Sequence, residues 1–338
     1  MKKIYVMLCI LALVIIIIGF TNRSIADNNI IVNSGQSIQS AINSAPSGST
    51  ITVNPGTYSE TVTIDKNITL NANGTVNLSG LHISGTGATV KGFILSGSYP
   101  LQLSNTNGVR ILNNTINSSL NGIMDSGTNT NLYIAGNTLH GTDPMYGNNI
   151  AFEGVTNNAI IENNSLSGAE LGLLFDVPSS NNIVRNNNIV GNVQLLHPGD
   201  PIKYEGTGVY TIDGSTNFQI LDNNVTYERD GIAIQQMHNG TASGFIVMGN
   251  TCTKNMNAIW MAVSNSMISN NILTGNNEGV DITGTGNTIK SNIITNNTSV
   301  GIALTTKTST DSNTVSNNTL SGNGGNYYTA GPGTVIGE

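Results

Sequence analysis

Along most of this chain apolar residues recur in short alternating runs, and Asn, Gly, Ser and Thr fill the intervals. One frame dominates: apolar-x-x-Asn-x-apolar. It reads ILNNTI at 111–116, IAGNTL at 134–139, IENNSL at 161–166 and VRNNNI at 184–189. It continues as ILDNNV at 220–225, VMGNTC at 247–252, ISNNIL at 268–273, IKSNII at 289–294 and VSNNTL at 315–320. The framed residues Asn114, Asn137, Asn164, Asn187, Asn223, Asn250, Asn271, Asn292 and Asn318 lie 21 to 36 residues apart. VKGFIL at 90–95 is an earlier member with Phe93 in the Asn position. Each repeat also holds a second apolar pair, usually opened by Gly, as in GIMD, GLLF, GVYT, GIAI, GVDI and GIAL.

Runs of period two broken by Gly and Asn predict strands, not helices. A unit recurring about ten times predicts a stacked coil of parallel strands. Each framed Asn is expected to stack on its counterpart one coil away, roughly 4.8 Å along the axis. It is expected both to supply the left-handed backbone of a tight corner and to satisfy its own amide within the column. A leucine-rich repeat also carries a framed Asn. It fits less well, because Ile and Val are used freely here and no helical period separates the frames.

The stretch QSIQSAINSAPSGSTITVNPGTYSETVTIDKNITL, residues 36–70, resembles the opening of right-handed parallel β-helix proteins of the pectate-lyase-like superfamily. Ile38, Ala41, Ile42 and Ala45 share one face of a short helix ended by Pro46, and such a helix caps the first coil in that family. TITV, PGTY, TVTI and ITL resemble the family's first strands. The resemblance implies an all-β fold: a single-stranded right-handed parallel β-helix of about eleven coils over residues 27–338, with a short N-terminal capping helix. It implies little about function, because the fold hosts lyases, hydrolases, epimerases, adhesins and tail spikes. GGNYYTAGPGTVIGE, which closes the sequence, offers no second cap, so Tyr327 and Tyr328 are expected to fold over the last coil or a partner to cover it.

Composition adds a location. Lys2 and Lys3 precede an uncharged, largely apolar run from Tyr5 to Phe20, and Ser24-Ile25-Ala26 supplies small residues for cleavage. Residues 1–26 are expected to be a signal peptide, or an uncleaved anchor as the alternative, so the protein is expected to be secreted or at the cell surface. A membrane is a partner only if that segment is retained. Removing it takes three of twelve bases and none of nineteen acids, leaving a formal balance of −10. That surface argues against nucleic acid. Cys252 alone remains, so no internal disulfide forms.

In a β-helix alternate strand residues point outward, and function lies there or in the loops. Aligning the second apolar pairs places Ile123, Ile150, Leu173, Val209, Ile232, Ile259, Val280 and Ile302 inward. One outward column then reads Met124, Ala151, Leu174, Tyr210, Ala233, Trp260, Asp281, Ala303. The next reads Ser126, Glu153, Asp176, Ile212, Gln235, Ala262, Thr283, Thr305, with Asp213 replacing Ile212 if the register slips by one. Polar and aromatic side chains collect in the middle coils: Glu153, Asp176, Tyr210, Gln235 and Trp260 are candidate substrate-binding residues. Glu153 and Asp176 are also the candidate ligands of a calcium ion. Extra residues fall in the same region, at HGTDPMYGNN (140–149) and at 190–206, which includes VQLLHPGDPIKYEG (193–206), with smaller departures at YERD (227–230) and QMHNG (236–240). These stretches hold His140, His197 and His238, with Asp143, Tyr146, Asp200, Lys203, Tyr204, Glu228, Arg229 and Asp230, and 193–206 is expected to wall a central groove.

If the groove acts on a uronic-acid polymer, elimination or C5 epimerisation needs the carboxylate neutralised, a base at C5 and a proton donor. Arg229, Lys203 or calcium could neutralise; His197 or His238 could be the base; Tyr204 or Tyr227 could be the acid. A hydrolase would instead use two carboxylates, with Glu153 and Asp176 the obvious pair. Yet the chain lacks Trp-x-Asp-His, Arg-x-Pro-x-x-Arg, and the Asn-Thr-Asp, Gly-His-Gly and Arg-Ile-Lys set of polygalacturonases. Copper delivery, which some β-helix accessory proteins perform, has only the Met237-His238 pair and methionines at strand sites behind it. The expectation is therefore a protein that binds a polysaccharide or surface glycan, with a lyase or epimerase second and a structural stalk or adhesin third. The sequons at Asn113, Asn163, Asn239 and Asn317 decide nothing in so Asn-rich a chain.

Overall fold

The structure is a computed structural model that describes residues 28–143, 145–191, 206–236, 240–304, 312–329 and 335–337. It is a right-handed parallel β-solenoid of about twelve turns, in line with the expected fold. One sheet stacks fourteen strands, from Asn29–Val32 and Ser49–Val53 to Thr314–Ser316 and Val335–Gly337. The two other strands of each coil, for example Asn188–Val190 and Thr207–Ile212, build the remaining faces, again in parallel register. Ile, Val and Leu suit this double role, because β-branched side chains pack on a pleated surface with one face dry. Every inward residue named above, from Ile123 to Ile302, is fully buried.

The first coil is closed by helix α1 (Ile38–Ser44), which buries Ile38 and Ile42. Ser37 caps it by accepting from the Ser40 N–H at 3.1 Å. The Glu60 carboxylate accepts from the Ile38 N–H at 2.6 Å and the Gln39 N–H at 3.3 Å. At the other end Lys66 Nζ donates to the Ala45 carbonyl at 2.8 Å. Both sets of orphaned helix groups are thereby served from the first complete coil. PGTY and TVTI, read as two strands, are one strand, Gly56–Ile64, with a register shift between Tyr58 and Thr61.

The framed Asn residues form the expected column, but they do half of the expected work. Asn137 donates from its backbone and Nδ2 to Asn164 Oδ1, at 2.9 and 3.0 Å, and again from Nδ2 to the Ile111 carbonyl at 2.9 Å. The pattern repeats from Asn114 to Asn318. The left-handed backbone belongs instead to the residue before each: Asn113, Asn163, Asn186, Asp222, Asn270, Ser291 and Asn317, or Gly92, Gly136 and Gly249. The framed Asn needs its side chain pointed inward, and the corner needs positive φ, so two adjacent positions divide the roles. Tyr327 and Tyr328 also correct an expectation. They continue the stack within Gly325–Thr329, opposite Ile302 and Ala303, rather than fold across it.

Candidate functional site

Three successive coils place their outward strand residues side by side. Leu171–Phe175 pairs with Thr207–Ile212, which pairs with Asp230–Gln235. The register sets Leu171, Thr207 and Asp230 in one row and Leu174, Tyr210 and Ala233 in another. Ile212 lies opposite Gln235, so the one-residue slip that would have put Asp213 in that column does not occur. Buried Leu173, Val209 and Ile232 hold these strands from beneath.

Between them opens a cleft of about 510 Å³, lined by Glu170, Leu171, Leu174, Asp176, Gly206, Thr207, Tyr210, Arg229 and Gln235. Four of the sequence-derived candidates, Asp176, Tyr210, Arg229 and Gln235, therefore meet in one place. The half-buried Tyr210 donates its hydroxyl to Gln235 Oε1 at 3.1 Å. Burial first, and then the charge of Asp176, hold its phenol above the ordinary tyrosine range, while Arg229 opposes them. Tyr210 is thus a neutral ring and hydrogen-bonding group, not a phenolate. Arg229 Nε donates to Asp230 Oδ2 at 2.9 Å, and Asn257 Nδ2 donates to Asp230 Oδ1 at 2.7 Å.

Two other candidates stand apart. Glu153 is one coil before Asp176 on the same column, but it accepts from Asn121 Nδ2 at 3.0 Å and so reaches toward the preceding coil. Trp260 is two coils beyond Tyr210 in its column, with Ala233 between them. His197, Lys203, Tyr204 and His238 lie outside the described residues, as does most of 193–206. YERD, read as a small departure, keeps the register: Tyr227 takes the left-handed corner (φ 63°), and Glu228 and Asp230 align with Asn255 and Asn257.

The sequence pattern missed Glu170, Leu171, Leu174 and Thr207 as cleft residues, Leu174 although its outward position was read correctly. For Leu171 and Thr207 the cause is the glycine that follows. A Cβ on Gly172 would lie 2.6 Å from the core's Ile189 Cγ2, and one on Gly208 2.4 Å from Val225 Cγ1. The glycine faces the interior, so alternation breaks at the corner and the residue before it turns outward. A glycine ahead of each apolar pair was the available signal.

Comparison with known proteins adds a family. The family described as periplasmic copper-binding protein (NosD) matches residues 79–244 and 196–329. The chain belongs to that family. Among solved structures, this NosD-family chain is similar to the mannuronan C-5 epimerase AlgE6 A-module of Azotobacter vinelandii. The two are 15% identical with a TM-score of 0.65, over 88% of this chain and 93% of that one. It is similar to PfbA, a surface adhesin of Streptococcus pneumoniae, at 14% identity and TM-score 0.67, over 85% and 86%. Pectate lyase Pel9A gives 14% identity and TM-score 0.56, over 73% and 79%. These likenesses show the fold. No curated protein matches the sequence.

The donor set does not fit copper among the described residues. No group of three His, Cys, Asp or Glu converges. Cys252 is buried in the core, where desolvation pushes its thiol up to about 12, far from the thiolate a metal takes. Met261 is fully buried. Met248 pairs with Leu221 and Ser269, and Met267 with Ile246 and Thr288, so neither faces another methionine across a rung. Met237 and His238 lie outside the described residues.

Proposed function

We propose that this protein binds carbohydrate outside the cytoplasm, through the cleft on its middle coils. The observation that carries this is the half-buried Tyr210 ring, set beside Leu174 and ringed by Asp176, Arg229 and Gln235. A flat apolar face within a collar of planar polar groups suits a sugar ring, which has apolar faces and a hydroxylated rim. Trp260 offers a second such face about 10 Å along the axis, two rungs of the stack away, and Glu153 extends the polar column on the other side. The epimerase, adhesin and lyase among the similar structures are consistent with a glycan ligand, as is the family's periplasmic description with the location.

A catalytic role as a lyase or C5-epimerase stands second. It would use Arg229 to neutralise a uronate, but Asp230, buried beside it, holds its Nε and already offsets its charge. The test is proton NMR of a polysaccharide panel incubated with residues 27–338, with and without calcium. Broadened glycan lines without new products support binding. Unsaturated, epimerised or newly reducing ends would replace it with catalysis. A spectrum unchanged throughout would leave a structural stalk.

A further inference from the structure

The charge around the cleft bears on which sugars it accepts. Glu170 and Asp176 line it, and Asp213 and Asp230 lie near enough for their charges to act on Tyr210. Among the described residues one cation lines it, Arg229, and its Nε is held by Asp230. That acid is itself buried and accepts from Asn257 as well.

A second feature, independent of charge, points to a polar ligand. Thr207 lines the cleft, is 1% exposed, and its Oγ1 makes no hydrogen bond to a described residue. A buried hydroxyl without a partner costs free energy unless something supplies one. Behind Gly206, which also lines the cleft, Glu228 Oε2 is buried and equally unbonded. A Cβ on Gly206 would sit 3.1 Å from that oxygen. The cleft thus has the Thr207 hydroxyl among its lining, and the exposed Asp176 carboxylate as well.

We propose that the cleft selects a glycan bearing a free ammonium group, an amino sugar, in preference to a uronic-acid polymer. Asp176 is its counter-charge, the Thr207 hydroxyl accepts one of its N–H bonds, and Tyr210 carries the ring. This rests on the carbohydrate-binding function proposed above. A carboxylated sugar would meet an Arg229 whose charge Asp230 already offsets, and would face the remaining acids. An ammonium meets acceptors on both sides.

The test uses calorimetric titration of residues 27–338 with three tetrasaccharides at low salt: β-1,4-glucosamine, its fully N-acetylated counterpart and α-1,4-galacturonate. Each is run in EDTA and again with calcium. The amine is expected to bind about tenfold more tightly than the acetylated sugar, and the galacturonate weakest in both conditions. Asp176→Asn, an exposed and near-isosteric change, is expected to erase the preference for the amine, so that the amine and acetylated sugars bind alike. Its melting curve should match that of the parent protein. Equal binding of amine and acetylated sugars, or tightest binding of galacturonate, would overturn the proposal and leave carbohydrate binding standing. Binding of none of the three at millimolar concentration would overturn both.

Discussion

At the scale of single residues, the Asn column converts a repeated letter into a continuous hydrogen-bonded spine. Asn223 Oδ1 accepts from the backbone and Nδ2 of Asn187, and its own Nδ2 donates to Val184 O and Asn250 Oδ1. Asn223→Ala is expected to strand several buried groups at once and cost about 3 kcal/mol, read as a lower urea midpoint. Asn186→Ala, at an exposed left-handed corner with φ 55°, is expected to cost only about 1 kcal/mol, and Asn186→Gly almost nothing. Equal losses at 186 and 223 would deny the division of roles. Asp125 is an acid at an inward strand position. It sits opposite Leu103 and Phe152 and accepts from Asn129 Nδ2 at 2.9 Å, the Gly154 N–H at 2.8 Å and the Thr156 hydroxyl. Burial nevertheless raises it to about 6, against those hydrogen bonds. An acid raised on folding binds its proton more tightly when folded, so its contribution is complete below about pH 3.8 and is lost as pH rises through about 6. That loss is about 3 kcal/mol. Asp125→Asn is expected to flatten melting temperature against pH between 4 and 7, and an unchanged slope would contradict it.

At the scale of elements, the glycines that open each second apolar pair are corners, not spacers. A Cβ on Gly279 would lie 2.4 Å from Gly301 O and 2.5 Å from Ile294 Cγ2, so coils could not approach to pairing distance. Gly279→Ala, well away from the cleft, is expected to cost about 2 kcal/mol through overpacking, whereas replacing the exposed Thr319 with Ala should be nearly neutral. Glu228 shows a related adjustment. Its backbone N–H donates to Asn255 Oδ1 at 2.9 Å, which puts it at the head of a second column running through Asn276, Asn297 and Asn323. Its carboxyl lies against Gly191 and Gly206, the two residues flanking 192–205. Desolvation first and then Asp230 raise it well above the carboxylate range, so its contribution also falls as pH rises. Glu228→Gln is expected to raise the melting temperature more at pH 8 than at pH 5; the opposite order would mean that the carboxyl is ionised and paired.

At the scale of the whole molecule, the fold was legible because its period is written in the sequence. A column of Asn at one coil spacing and a period-two inward row leave few other arrangements, and both appear where the letters put them. The candidate site was legible only in part. Asp176, Tyr210 and Gln235 were found by counting outward from buried residues. Leu171 and Thr207 were hidden because the corner glycine breaks the alternation on which that counting depends. Glu228 was read as a groove residue because a charged letter in YERD reads as surface, while the ladder draws its side chain inside. The central claim is that the solenoid holds a glycan at Tyr210. It is tested most directly by saturation-transfer NMR of the oligosaccharide panel with the parent protein and with Tyr210→Ala. The account expects saturation of sugar protons by the parent protein, reduced at least tenfold by the substitution, with both proteins melting alike. Saturation undiminished in Tyr210→Ala, or absent from the parent protein, would contradict it.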